Sequence, residues 1–132
     1  MLMVFCLGEV CSLAQANAVQ IQSGNVLLRS INQIIKREIA LGHVDENDFV
    51  DLSDGAIDEL VNILTNTASC LYNLGMLTDV FWNQLIGCFD NVLSLCVYRL
   101  VVMLSRQKTS VTLAICRKLD PEFDECCASG VY

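Results

Sequence analysis

Residues 80–104, with the sequence VFWNQLIGCFDNVLSLCVYRLVVML, decide the fold class of this chain. Apolar side chains cover nearly every face of a helix drawn through this stretch, and its charged residues are Asp90 and Arg99. A helix that is apolar all round is normally buried inside a bundle. We therefore predict an all-α fold in which one long, buried central helix is surrounded by amphipathic helices.

The rest of the chain predicts those outer helices within a single domain, residues 1–132. Apolar residues recur at helical spacing, strand-like alternation is absent, and 132 residues are enough to bury one core. The outer helices are predicted at residues 2–18, 25–40, 55–73, 110–119 and 121–127. Ser23-Gly24-Asn25 should separate the first two helices, and Leu41-Gly42 should stop the second one.

Charge and composition narrow the range of functions. With 15 acidic and 8 basic residues, a net charge of −7, the chain lacks the clustered Lys and Arg that bind nucleic acid. No stretch reaches the roughly 18–20 apolar residues of a membrane-spanning helix. Hydrophobic residues nevertheless make up 54% of the sequence. That surplus indicates a buried helix, a dimer interface or an exposed groove.

Eight cysteines bear on compartment and assembly. Most lie within apolar helical patterns, where a thiol behaves as a small hydrophobic side chain, so we expect a reducing, cytoplasmic environment. The cysteines near the two ends of the chain are candidates for an intermolecular disulfide: Cys6, Cys11, Cys126 and Cys127. The apolar residues 1–7 have no preceding Lys or Arg, which favours a first helix over a signal peptide.

Residues 78–97 resemble the first homology region of the Bcl-2 family, which reads D-G-V-N-W-G-R-I-V-A-F-F and then L-C-V after a short spacer. The matching positions, in register without gaps, are Val80, Trp82, Leu85, Ile86, Gly87, Phe89 and Leu95-Cys96-Val97. Residues 28–39 more weakly resemble the third homology region, L-R-x-A-G-D-x-F-x-R-x-Y. Leu28, Arg29 and Arg37 are identical there, Ile35 and Ile39 match in character, and Asn32-Gln33 replaces Gly-Asp.

The two segments occur in the same order as in the family. The second homology region is nearly unrecognisable, and only Ile115 and Phe123 occupy positions comparable to its conserved residues. The sequence predicts neither a long loop between the first two helices nor a C-terminal membrane tail, as in reduced viral-type members. The resemblance implies a Bcl-2-like helical bundle with a hydrophobic surface groove. It also implies an inhibitor of apoptosis in the host-cell cytoplasm, peripheral at mitochondria through its partners.

In this family the groove holds the amphipathic death-motif helix of pro-apoptotic Bcl-2 relatives, a helix-in-groove interaction. Ile35 and Ile39 would form one wall, with a second wall opposite and Leu85 and Gly87 on the floor. The resemblance implies a groove lined by Ile35, Ile39, Leu60, Leu64, Leu71, Leu74, Phe81, Trp82, Asn83, Gln84, Leu85 and Gly87.

One departure from the family predicts a narrow range of partners. The family's N-W-G-R has an Arg that pairs with an Asp shared by the ligand helices, and Gln84 stands at that position here. Gln donates only a neutral hydrogen bond, roughly half as strong as a charge-assisted one. We expect pocket packing to carry more of the affinity, with Asn83 or Arg99 as alternative sources of a polar contact.

No motif predicts an enzyme, a cofactor or a metal site, because phosphate-binding glycine loops, nucleophile elbows and C-x-x-C pairs are missing. Two other functions fit the composition: a dimerising helical structural or adaptor protein, and a secreted, cytokine-like helical ligand. Because an empty apolar groove favours self-association, we also hypothesise a homodimer at high concentration, cross-linked by a disulfide of a terminal cysteine.

Overall fold

The computed structural model describes the backbone of residues 8–73, 75 and 78–132, and the side chains of those residues from residue 24 onward. Within these ranges the chain is helical, which confirms the all-α prediction. The helices are α1 (Gly8–Ala40), α2 (Asp54–Ile63), α3 (Ser69–Asn73), α4 (Asp79–Gly87), α5 (Ser94–Ser105), α6 (Ser110–Leu119) and α7 (Phe123–Ala128). A π-helical turn, Leu64–Ala68, joins α2 to α3. None of the described helices combines the length and the apolar character that crossing a bilayer requires.

The break predicted at Ser23-Gly24-Asn25 is wrong, because α1 continues through it as one helix of 33 residues. Gly24 is buried, and a Cβ added to it would lie 2.9 Å from Cε2 of Phe81. The glycine therefore permits close packing of α1 on α4 and does not form a turn. The predicted stop is confirmed, since Gly42 has a φ of 82° and the next N–H donates to the Glu38 carbonyl at 2.9 Å.

The single central helix predicted over residues 80–104 is also wrong. The chain forms α4 and α5 instead, separated by a turn over residues 88–93. The N–H of Val50 donates to the Asn91 carbonyl at 2.8 Å, and the N–H of Leu93 donates to the Val50 carbonyl at 2.9 Å. Gly87 at the end of α4 and Asp90 and Asn91 in the turn have low helix propensity, so these non-local bonds can replace a continued helix.

One apolar core connects the described helices. α5 packs mainly on α6 and α2, while α1 lies across α2, the π-helical turn, α3 and α4. α5 is amphipathic, because Leu100 is fully buried whereas Leu95 is 68% exposed. The prediction of a central helix buried on all sides is therefore corrected: a buried face of α5 contributes to a core that α1, α2, α4 and α6 share.

Candidate helix-binding site

Most of the apolar residues predicted to line a surface groove lie in the core. Leu60, Leu64 and Leu85 are fully buried and Leu71 is 2% exposed. Ile35, predicted on the facing wall, is also buried, because α1 packs directly on the elements that carry these leucines. The expected open groove is therefore closed in this structure. We call the surface of α2, the π-helical turn, α3 and α4 beneath α1 the α1 seat.

The other predicted groove residues surround the α1 seat or lie apart from it. Ile39 is 42% exposed near the end of α1, and Asn83, Gln84 and Gly87 are exposed on α4. Only Asp90 Oδ2, at 4.0 Å, comes near a Cβ added to Gly87, so no backbone packs closely there. Leu74 lies outside the described residues.

The two aromatic residues of α4 pack inward. Phe81 is half-buried against Gly24, which brings α4 close to α1. Trp82 is 7% exposed, and Nζ of Lys118 lies 5.8 Å from the centre of its ring. Lys118 belongs to α6, so Trp82 ties α4 to α6 at the same time as it fills the core.

Residues 24–40 of α1 have the pattern of an amphipathic helix bound in a groove. Leu27, Ile31 and Ile34 are all buried, at intervals of four and three residues. This spacing matches the anchors of helix-in-groove ligands. The opposite face of the same segment carries exposed polar residues, including Asn32 and Lys36. The α1 seat thus holds an amphipathic helix that is part of the same chain.

A buried carboxylate fixes the C-terminal end of this segment. Glu38 is 1% exposed, and the N–H of Ser53 donates to its Oε1 at 2.6 Å. Nδ1 of His43 is buried and lies 3.3 Å from Oε2 of Glu38, but their geometry is not that of a hydrogen bond. Burial would raise the pKa of Glu38. Hydrogen bonding to Ser53 and the proximity of His43 together outweigh burial, so the pKa is lowered.

The sequence analysis predicted a helix over residues 25–40 but did not single out Glu38 as a buried residue. The available signal was its position four residues after Ile34 and seven after Ile31, which places it on the apolar stripe. An acid at such a position requires a buried partner. That partner, the Ser53 backbone, begins α2 as its N-cap, so it could not be read from the pattern of α1 alone.

A second contact between α1 and α2 is exposed. The guanidinium of Arg37 binds the carboxylate of Glu59 through two hydrogen bonds, at 2.7 and 3.3 Å. This hydrogen-bonded pairing raises the pKa of Arg37. Both side chains are about half exposed, so solvent and salt weaken the pair and it contributes little to stability. The buried Glu38 contact is the stronger of the two ties.

Arg99, considered as a polar contact for a partner, is engaged within the protein. Its Nη1 donates to the Leu52 carbonyl at 3.2 Å, and its Nη2 pairs with Asp54. On the same helix Cys96 is buried, and its sulfur accepts the N–H of Leu52 at 3.3 Å. Burial raises the pKa of Cys96 and keeps it a thiol. Through their contacts with Leu52 and Asp54, Cys96 and Arg99 anchor the loop before α2 to α5.

The cysteines predicted to cross-link a dimer are only partly described. Cys6 lies outside the described residues, and Cys11 lies in α1 with its side chain outside them. Cys126 is half-buried, Cys127 is exposed, and both are free thiols in α7. The structure therefore leaves at least Cys127 accessible to solvent.

The α1 seat buries the apolar face of α1, and the contact between Glu38 of α1 and the Ser53 backbone holds the C-terminal end of that helix in place. Comparison with known proteins finds no match to this chain among family models, curated proteins or solved structures.

Proposed function

We propose that this protein inhibits apoptosis by binding the amphipathic death-motif helix of pro-apoptotic Bcl-2 relatives. The observation that carries the proposal is the α1 seat, which is occupied by a helix with the spacing of such a ligand: Leu27, Ile31 and Ile34. A surface that buries this pattern from its own chain can bury the same pattern from another chain after α1 moves away.

The resemblance to the Bcl-2 family supports the same function through two segments of the chain. The segment that resembles the first homology region lies in α4, the turn after it and the start of α5, and Leu85 of that segment is buried. The segment that resembles the third homology region, which in the family corresponds to the death motif of the partners, is residues 28–39 of α1. The chain would thus carry both a groove and a segment that resembles its ligand.

Binding would proceed by exchange of one helix for another. Moving residues 24–40 away exposes the apolar stripe of α1, and the incoming helix covers the leucines of the α1 seat. An internal occupant lowers the apparent affinity in proportion to the fraction of molecules that are open. Such a cost would restrict binding to the tightest partners, in agreement with the narrow partner range that Gln84 predicts.

Calorimetric titration of the full chain with a panel of synthetic death-motif helices tests the proposal. We expect a small subset to bind. Changing the shared Asp of a bound helix to Ala should weaken binding by less than about tenfold, because Gln84 offers only a neutral contact. Amide hydrogen exchange should show residues 24–40 losing protection when the helix binds.

Failure of every helix in the panel to bind would overturn the proposal. A loss of about 1000-fold from the Asp change would leave helix binding standing but contradict the minor role assigned to Gln84. Binding without loss of protection in α1 would refute the exchange step, since the partner would then occupy another surface.

A further inference from the structure

A separate cleft lies where the turn over residues 88–93 meets α5 and the end of α6. Its volume is about 500 Å³, within the size range of small-molecule sites. None of the residues predicted to line the helix-binding groove lines this cleft. Its apolar lining consists of Ile86, Phe89, Val92, Val97, Val101 and Leu119.

The polar side chains that line the cleft are two carboxylates, two tyrosines and the hydroxyl of Ser94. Asp90 and Asp120 line it, and its lining includes no Lys or Arg. Among the described residues Asp90 forms no ion pair and lies exposed at the turn. Asp120 is held in place, because its Oδ2 accepts the O–H of Tyr132 at 2.7 Å. The cleft therefore offers negative charge without a cation of its own.

Two tyrosine rings complete the cleft. The rings of Tyr98 and Tyr132 lie 5.6 Å apart at an angle of 31°, and both residues line the cavity. Aromatic faces attract cations, and the attraction adds to that of nearby carboxylates. Tyr132 also packs on the buried Phe123, with ring centres 5.2 Å apart, so its position is fixed by the core.

We propose that this cleft binds small amphipathic amines, molecules with a compact aromatic or branched apolar body and one ammonium group. The apolar body fills the space between Phe89 and Leu119, and the ammonium lies near the carboxylates and the tyrosine rings. A neutral molecule of the same shape gains only the apolar part of this interaction. An anion of the same shape is repelled by Asp90 and Asp120.

Three probes of matched shape test the proposal on the full chain: 2-naphthylmethylamine, 2-naphthylmethanol and 2-naphthoate. Protein-observed NMR titration should show the amine shifting resonances of Tyr98 and Val97 and binding about two- to fivefold tighter than the alcohol. The carboxylate should bind weakest. The advantage of the amine over the alcohol should decline with added salt, because the charges are near the surface.

Asp90→Asn should weaken amine binding, with a smaller preference over the alcohol remaining from Asp120 and the tyrosine rings, and should leave alcohol binding unchanged. The matched control, Asp58→Asn on the exposed face of α2, should change neither. Val97→Phe, which fills the cleft, should abolish binding of both probes in protein shown by thermal melting to be folded. Equal affinity for all three probes, or amine binding unaffected by Asp90→Asn, would overturn the proposal.

Discussion

At Gly24, the ring of Phe81 occupies the space that a side chain would need. In a helix interior, Ala is more favourable than Gly by about 1 kcal/mol. An alanine here would bring its Cβ within 2.9 Å of the Phe81 ring, so Gly24→Ala should gain little or lose stability. In a Phe81→Ala background the same change should stabilise the protein by about 0.5–1 kcal/mol. Urea unfolding of all four variants measures the coupling, and equal effects in both backgrounds would show that the two residues do not touch.

At Glu38, a charged group stabilises the fold because it is hydrogen-bonded where it is buried. Glu38→Gln should lower the free energy of unfolding by about 1–3 kcal/mol at pH 7, since a charge-assisted bond to Ser53 is replaced by a neutral one. The pKa of Glu38 is lowered in the folded state, so its contribution is complete above the ordinary value of 4.5 and is lost as the pH falls through the folded value. Urea unfolding of both proteins between pH 7 and pH 3 checks this. A difference between them that does not shrink on acidification would contradict it.

At the scale of elements, α5 offers a direct test of which helix faces are buried. Leu100→Ala should cost about 2–5 kcal/mol, because the side chain is fully buried and its removal leaves a cavity. Leu95→Ala on the same helix should change stability by less than about 0.5 kcal/mol, because Leu95 is 68% exposed. Thermal and urea unfolding measure both variants. Similar large losses for the two would restore the prediction of a helix buried on all sides.

Element boundaries that depend on local signals could be predicted from the sequence. The stop of α1 depends on Gly42, a glycine in the left-handed region, and the start of α6 depends on Thr109, its capping residue. Gly24 within the continuous α1 packs against Phe81, and the turn over residues 88–93 is hydrogen-bonded to Val50, and both partners are distant in sequence. Periodicity alone contains no information about such partners, so both boundaries were predicted wrongly.

At the scale of the molecule, the sequence predicts which faces of the helices are apolar but not what covers them. Leu60, Leu64 and Leu85 belong to the buried core, whereas the resemblance implied a groove open to solvent. An apolar stripe on a helix predicts that this face is buried, but it does not predict which partner buries it. Whether α1 or a foreign helix buries it is a balance of free energies between two states, which no local pattern encodes.

That balance can be shifted by one methylene. Ile31→Val trims a fully buried side chain of α1, loosens α1 on its seat by about 0.5–1.5 kcal/mol, and should tighten binding of a death-motif helix about two- to tenfold. Ile115→Val removes the same group from an equally buried position on α6. It should cost similar stability but leave helix affinity unchanged, because α6 stays in place in both states. Calorimetry and urea unfolding on both variants separate the two effects. Equal affinities would mean that α1 does not compete with the partner, and the exchange model would then fail even if helices bind.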